Sequence, residues 1–168
     1  SATRVFRVTT SNVEVTLNDV NMVSSAKVVY PNDVRGISVD ANLTNVKLTL
    51  NDCSVDFTDA STNDWTYAVN VSGNGTGHSV TINGGTYEGA NVINAHGTSN
   101  TIVVKNAILN SMYPDHDEYY GACIWVLQNQ NSSVEATGNT FNGNNAVAFN
   151  LGNGTALTES NNTDNTAR

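Results

Sequence analysis

A hydrophobic phrase that returns five times along the chain constrains the fold more than any other feature of the sequence. Each copy alternates apolar and polar side chains, and the intervals between equivalent positions are 33, 32, 22 and 32 residues. A strand unit that recurs in this way predicts stacked coils, in which each unit buries its apolar face only against its neighbours. The equivalent central positions are Leu17, Leu50, Ile82, Val104 and Ala136.

A second phrase alternates with the first, so each coil contains at least two strands. Its copies occupy residues 5–8, 36–39, 68–71, 91–94, 122–126 and 147–151. A further apolar position follows the first phrase beyond a bend that contains Gly, Asn or other small residues, which tolerate a left-handed backbone. This position is filled by Met22, Val55, Tyr87, Leu109 and Phe141. Helical periodicity is essentially absent, so we expect an all-β protein.

Two stretches carry a resemblance to a known superfamily. Residues 100–106 and 133–147 resemble the parallel β-helix repeats of the pectin-lyase-like superfamily, and the similarity extends over residues 5–163. The resemblance implies a right-handed, single-stranded parallel β-helix of about five to six coils. The superfamily includes polysaccharide lyases, glycoside hydrolases, phage tailspikes and non-catalytic bacterial adhesin domains, so the likeness implies a fold and leaves the reaction open.

We expect residues 1–168 to form a single β-helix domain that is a fragment of a larger protein. The chain opens at Ser1 without Met, and residues 163–168 follow the last repeat without a polar cap. Natural solenoids cover their open ends. Flanking domains of the parent chain, or another chain, are therefore expected partners at this end.

Composition narrows the range of partners. The net charge is −8 and only 7 residues are basic, which argues against nucleic acid and disfavours a strongly anionic polysaccharide. No apolar run approaches the ~20 residues of a membrane span, so membrane insertion is not expected. The 27 asparagines, together with many Ser and Thr residues, are typical of an extracellular β protein. We predict an extracellular or cell-surface location.

The two cysteines are expected to be free thiols. Cys53 and Cys123 belong to the second and fourth repeats, and coils two apart are separated by about 9.6 Å when strands stack at their usual spacing. A disulfide needs Cα atoms within roughly 7 Å of each other. Each thiol should therefore serve as a small apolar filler.

Unequal loop lengths predict where a ligand would bind. The segments 23–35, 56–66 and 110–121 are long, whereas 88–90 and 142–145 are minimal. Long insertions therefore project from one edge, with a dip at coil three, and one-sided insertions in repeat proteins often form the binding surface. The candidate ligand-binding residues beside this dip are Asp64, Trp65, Tyr67, Asp115, His116, Asp117, Glu118, Tyr119 and Tyr120.

Several chemistries remain open for these residues. Aromatic rings beside carboxylates suit a neutral sugar, since sugar C–H faces lie on rings while hydroxyls bond to acids. Several carboxylates could instead hold Ca²⁺, which takes 6–8 oxygen ligands, and an acid pair could hydrolyse a glycosidic bond. The plain alternative is a solvated acidic loop. His78 and His96 are expected at surface corners, and no Cys or His spacing supports a zinc site.

No catalytic residue is predicted. Catalytic β-helix lyases resemble one another in placing acidic calcium ligands and a basic proton acceptor on or beside the first-phrase sheet. Here that outer face consists of Thr and Asn, with Lys47 and Lys105 two coils apart. The sequence favours a non-catalytic domain of a bacterial surface or secreted protein, acting as an adhesive, glycan-binding module or as a spacer. The alternatives are a carbohydrate-active enzyme with an acidic site in the long-loop groove and a trimeric fibre of the tailspike type.

Overall fold

A computed structural model describes residues 3–25, 32–57, 65–113, 121–127 and 131–167. Within them the chain forms 18 β-strands. The strands are β1 (Thr3–Val8), β2 (Glu14–Asn18), β3 (Asn21–Val23), β4 (Val34–Val39), β5 (Lys47–Asn51), β6 (Ser54–Asp56), β7 (Thr66–Val71), β8 (Ser79–Asn83), β9 (Thr86–Gly89), β10 (Asn91–Ala95), β11 (Thr101–Lys105), β12 (Ile108–Ser111), β13 (Ala122–Val126), β14 (Ser133–Thr137), β15 (Thr140–Gly143), β16 (Val147–Leu151), β17 (Ala156–Ser160) and β18 (Thr163–Thr166).

Every third strand joins the same sheet, which confirms the predicted parallel β-helix. Sheet A contains β1, β4, β7, β10, β13 and β16; sheet B contains β2, β5, β8, β11, β14 and β17; sheet C contains β3, β6, β9, β12, β15 and β18. All the pairings between these strands are parallel. Each coil therefore contributes one strand to each of three six-stranded sheets.

The predicted core columns are confirmed in register. Leu17, Leu50, Ile82, Val104 and Ala136 pair successively along sheet B. Sheet A aligns Ile37, Val69, Ile93, Ile124 and Phe149, and sheet C aligns Met22, Val55, Tyr87, Leu109 and Phe141. Most of these side chains are fully buried in one continuous core, while members of the first coil such as Leu17 are only partly buried. This is the expected pattern for a solenoid, since an end coil has a neighbour on one side alone.

The bend between sheets B and C is the same in all six coils. Its first residue always has a positive φ, between 49° and 72°. The residues are Asp19, Asp52, Gly84, Asn106, Gly138 and Asn161. Asp, Asn and Gly are the residues that adopt this left-handed backbone most readily. The predicted left-handed corner is confirmed.

Polar ladders stabilise the outside of the coils. The amide of Asn51 donates to Asn18 Oδ1 at 2.7 Å, and Asn83 donates to Asn51 Oδ1 at 2.8 Å. On the same face Lys47 pairs with Glu14 at 2.7 Å, and Lys105 pairs with Glu135 at 2.9 Å. Such ladders satisfy exposed side chains between stacked strands.

Both cysteines are buried free thiols, as predicted. Burial raises the pKa of Cys123 to about 12, so its thiol stays protonated at neutral pH. A protonated, buried thiol is a poor nucleophile and behaves as a small apolar side chain.

Candidate functional site

A cavity of about 240 Å³ lies on the outer face of sheet A. Successive residues of a strand point to opposite faces, so the strands that bury Ile37, Val69, Ile93 and Ile124 present their alternate positions outward. The outward positions pair across four coils, and they are Ser38, Asn70, Asn94 and Trp125. The register of the β-helix therefore places polar amides and an indole side by side on this face.

Aromatic and apolar side chains form the walls of this sheet A cavity. They are Trp65, just before β7, Tyr67 in β7, Trp125 in β13 and Leu127, just after β13. The His96 ring meets Trp125 edge to face, with centroids 6.2 Å apart and an interplanar angle of 75°. Ligand sites in proteins commonly combine such a wall with a few placed polar groups.

A chain of hydrogen bonds forms the polar floor. Arg35 Nη1 donates to Ser72 Oγ at 2.8 Å, and Asn70 Nδ2 donates to the same oxygen at 2.9 Å. Asn94 Nδ2 in turn donates to Asn70 Oδ1 at 2.6 Å. Each amide is oriented by its neighbour, so the floor is held in place before any ligand arrives.

Two polar atoms of the floor remain without a hydrogen bond to any described residue. They are Asn94 Oδ1 and His96 Nε2, both screened from solvent. Asn94 as a whole is 2% exposed. Burial lowers the pKa of His96, and the charge of Arg35 lowers it further. The imidazole is therefore neutral at neutral pH.

The positive charge in the cavity is already partnered. Arg35 and Arg4 both pair with Asp33, Arg4 at 2.9 Å and Arg35 also through a 2.8 Å hydrogen bond from Nε. Burial is the main effect that lowers the pKa of Arg35, and Asp33 opposes it. An arginine nevertheless keeps its charge at any physiological pH. Among the described residues that line the sheet A cavity, the cation Arg35 is thus paired, but it shares its carboxylate with Arg4.

A second cavity of about 550 Å³ adjoins the first at the corner between sheets A and B. Gly73 and His96 line both cavities, so the two lie side by side. This corner cavity is otherwise lined by the turn residues Asn74, Gly75, Thr76, Gly97 and Thr98. Thr98 Oγ1 donates to Thr76 Oγ1 at 2.8 Å and ties the neighbouring turns together.

The absence of a side chain at Gly73 is explained by neither backbone strain nor packing. A Cβ there would meet only His96, at 3.7 Å from Nδ1, which is an ordinary contact. By contrast, a Cβ at Gly75 would lie 2.4 Å from His78 Nε2, and one at Gly97 would lie 2.3 Å from the Gly75 carbonyl oxygen. Gly73 therefore leaves space for a side chain at the boundary between the two cavities.

Of the predicted ligand-binding residues, the structure places Trp65 and Tyr67 in the wall of the sheet A cavity. The other candidates lie outside the described residues. They are Asp64, Asp115, His116, Asp117, Glu118, Tyr119 and Tyr120.

Sequence reasoning missed the residues that contribute most to the floor. The sequence analysis did not predict Asn94, Trp125 and Arg35, although the second phrase places Asn at the same outward position of two successive coils.

His78 was predicted at the surface, and this is wrong. Its side chain is 1% exposed, and Nδ1 accepts a hydrogen bond from the backbone N–H of Val46 at 3.2 Å. His96 is half-buried rather than a free corner residue.

Within the described ranges no group of three His, Cys, Asp or Glu side chains is arranged to hold a metal ion. The same ranges contain no helix long and apolar enough to cross a membrane. The acids of the predicted calcium and hydrolysis sites belong largely to the segments outside these ranges.

Comparison with known proteins gives no relative from which a function could be transferred. No family model matches the chain, and neither the curated proteins nor the solved structures contain a match. The functional argument therefore depends on the site itself.

Proposed function

We propose that this chain is a non-catalytic, carbohydrate-binding β-helix domain of the pectin-lyase-like superfamily, acting at a bacterial cell surface or in a secreted protein. The observation that supports it is the combination of Trp65, Tyr67 and Trp125 with the amide floor of Asn70 and Asn94 in one groove. Flat aromatic rings bind the C–H faces of sugars, while amides bond to their polar groups.

The groove also has the shape expected for an oligosaccharide. The sheet A cavity and the corner cavity lie side by side at Gly73, so an extended chain that occupies both fits better than a compact ligand. Its charge favours a neutral chain, because Arg35 is already paired with Asp33 and the whole protein carries −8. An acidic polymer would be repelled by the protein as a whole.

Trp125→Ala is the variant that tests this function most directly. We expect wild type to bind a neutral oligosaccharide on a glycan array, with the affinity then measured by calorimetry. Removing the indole should weaken binding about fivefold or more, since stacking of a nucleobase on an aromatic ring typically contributes about 1–3 kcal/mol. Trp65→Ala should weaken it as well.

Ile108→Ala is the matched control. Ile108 is an exposed apolar residue on sheet C, 42% accessible, and it lies outside both cavities. Binding should be unchanged in this variant. Failure of every neutral glycan to bind would favour the spacer alternative. Release of sugar in a parallel assay, lost on replacing Asp115 or Asp117, would instead favour the carbohydrate-active enzyme.

A further inference from the structure

Coil six, which consists of β16, β17 and β18, departs from the core columns of the other coils. In sheet B, Glu159 pairs in register with Ala136, and in sheet C, Asp164 pairs in register with Phe141. Both of these partners are fully buried. Residues in register on parallel strands point to the same face, so the two carboxylates lie on the inward side of coil six. They stand where the other coils have a hydrophobic side chain.

Hydrogen bonds within coil six orient the two carboxylates. Asp164 Oδ1 accepts the backbone N–H of Thr166 at 2.9 Å and its hydroxyl at 2.6 Å. Glu159 Oε2 accepts from Asn162 Nδ2 at 3.5 Å. Burial is the main cause that raises the pKa of the Cys123 thiol, and the charge of Asp164 raises it further. Asp164 therefore lies within electrostatic reach of the core, although both acids are exposed at this end.

We propose that Glu159 and Asp164 close the coil-six end of the β-helix against a second copy of this chain. Such a copy would otherwise continue the helix by stacking its coil one, β1 to β3, on coil six. A partner at this end is therefore one other than a second copy stacked in register.

Head-to-tail stacking would bury both carboxylates beneath apolar side chains. The sheet B and sheet C columns that end at Glu159 and Asp164 begin in coil one with Leu17 and Met22. A second copy in register would place Leu17 over Glu159 and Met22 over Asp164. A carboxylate that leaves water without a partner is strongly destabilising, so this arrangement is disfavoured.

The remainder of this end would favour stacking. β16, β17 and β18 are the outermost strands of their sheets, so each presents an unpaired edge. Leu157 is 40% exposed, and the column to which it belongs begins in coil one with Val15. Exposed strand edges are templates for pairing with another chain, and inward-pointing charges are one way in which proteins block them.

Coil one supplies no counter-charge at these columns. Its arginines in the described part of the chain, Arg4 and Arg7, belong to β1 in sheet A, and they already pair with Asp33 and Asp40. The strands that would cover the carboxylates, β2 and β3, contain no basic residue. The two negative charges would therefore stay uncompensated in the interface.

Glu159→Leu combined with Asp164→Leu tests the closure on the intact protein. This double variant should associate head to tail, with an association constant about tenfold or more above that of wild type, because no charge has to be buried. Sedimentation equilibrium over a range of protein concentrations measures the constant, and circular dichroism checks the β fold. Thr158→Leu combined with Thr163→Leu is the matched control. It adds two leucines at outward positions of the same strands and should associate like wild type.

Two further variants keep the test decisive. Glu159→Gln with Asp164→Asn removes the charge and keeps the side-chain oxygens that accept hydrogen bonds, so it should fold and raise the association constant by a smaller factor. Leu17→Lys, added to the leucine double variant, should remove the gain, since it places a charge on the opposing column. Thr16→Lys, on the outward side of the same strand, should leave the gain in place.

Three results would overturn the proposal. The first is a leucine double variant that folds and associates no more strongly than wild type. The second is an equal gain in the outward control, which would mean that added apolar surface alone drives association. The third is a gain that survives Leu17→Lys, because coil one would then not be the surface that stacks on coil six.

Discussion

The guanidinium carbon of Arg35 lies 5.9 Å from the centre of the Tyr67 ring, while the same guanidinium is paired with Asp33. One arginine thus joins the cavity wall to a partly buried ion-pair cluster. Asp33 also accepts Arg4, so two cations share a single carboxylate and the cluster keeps one net positive charge. This carboxylate limits the positive potential beside the groove.

Asp33→Asn should convert the groove from a neutral-sugar site to one that accepts acidic sugars. Arg4 and Arg35 would lose their counter-charge, and the local positive potential would rise. Affinity for a galacturonate tetramer should increase and should weaken with added salt, because exposed charges are screened. Calorimetry at two salt concentrations measures this, and an unchanged preference for neutral sugars would contradict it.

The same change should destabilise the fold. Removing one partner of a buried ion pair costs up to about 3–5 kcal/mol, and less here since Arg4 and Arg35 remain 19% and 17% accessible. Asp40→Asn is the control, because its partner Arg7 is 59% accessible. An exposed pair contributes little to stability, because solvent screens it. Urea unfolding compares the two variants.

Gly73→Val should close the passage between the sheet A cavity and the corner cavity without harming the fold. The position has space for a Cβ, so the free energy of unfolding should change little. Oligosaccharides that need both cavities should lose affinity, whereas a disaccharide held in the sheet A cavity should not. Calorimetry with oligosaccharides of increasing length measures this. In the variant, affinity should not increase beyond that of the disaccharide.

Gly75→Ala is the contrasting variant at the same corner. A Cβ there would lie 2.4 Å from His78 Nε2 and 2.8 Å from the Leu43 carbonyl oxygen, so this change should destabilise the protein. If Gly73→Val were equally destabilising, or if long and short ligands were affected alike, the continuous groove would be contradicted.

The sequence predicted the inside of this molecule better than its outside. Apolar alternation at Leu50 and its equivalents identified the core columns, because burial demands the same face in every coil. Gly84 and Asn106 marked the left-handed corners for an equally local reason. The cavity depends instead on outward neighbours from different coils, such as Asn94 and Trp125, and becomes visible only once the register is known.

The prediction that His78 lies at the surface was wrong for a related reason. His78 follows a glycine-rich turn, which is typical of an exposed loop. The structure turns this residue inward, where its Nδ1 accepts the N–H of Val46 on the preceding coil. A hydrogen bond between coils cannot be read from the local sequence.

Stability should fall in mild acid because of the buried histidines. Burial lowers the pKa values of His78 and His96 below the 6.5 of a free imidazole. Between the folded and unfolded values the unfolded chain binds more protons, so stability is fully present above about pH 6.5 and decreases as the pH falls through this window. Each histidine contributes at most about 1.4 kcal/mol per pH unit.

His78→Asn tests that origin. Its side-chain Oδ1 takes the place of Nδ1 and can still accept the Val46 N–H, but it does not titrate. Chemical unfolding of wild type and variant from pH 7.5 to 5 should show a smaller slope for the variant. Parallel curves over this range would mean that His78 does not contribute to the acid sensitivity.

Leu50→Ala should be among the most damaging apolar truncations. Leu50 is fully buried and stacks in register between Leu17 and Ile82. Removing its side chain leaves a cavity that neighbouring coils cannot fill, and the free energy of unfolding should fall by about 2–5 kcal/mol.

Leu17→Ala should lower the free energy of unfolding less, because Leu17 lies in the first coil and is only partly buried. Thr49→Ala, on the outer face of the same strand, should change stability by no more than about 1 kcal/mol. Urea unfolding of the three variants measures this ranking. A Leu17 variant with a lower free energy of unfolding than the Leu50 variant would contradict the argument that burial in the stacked column sets the stability.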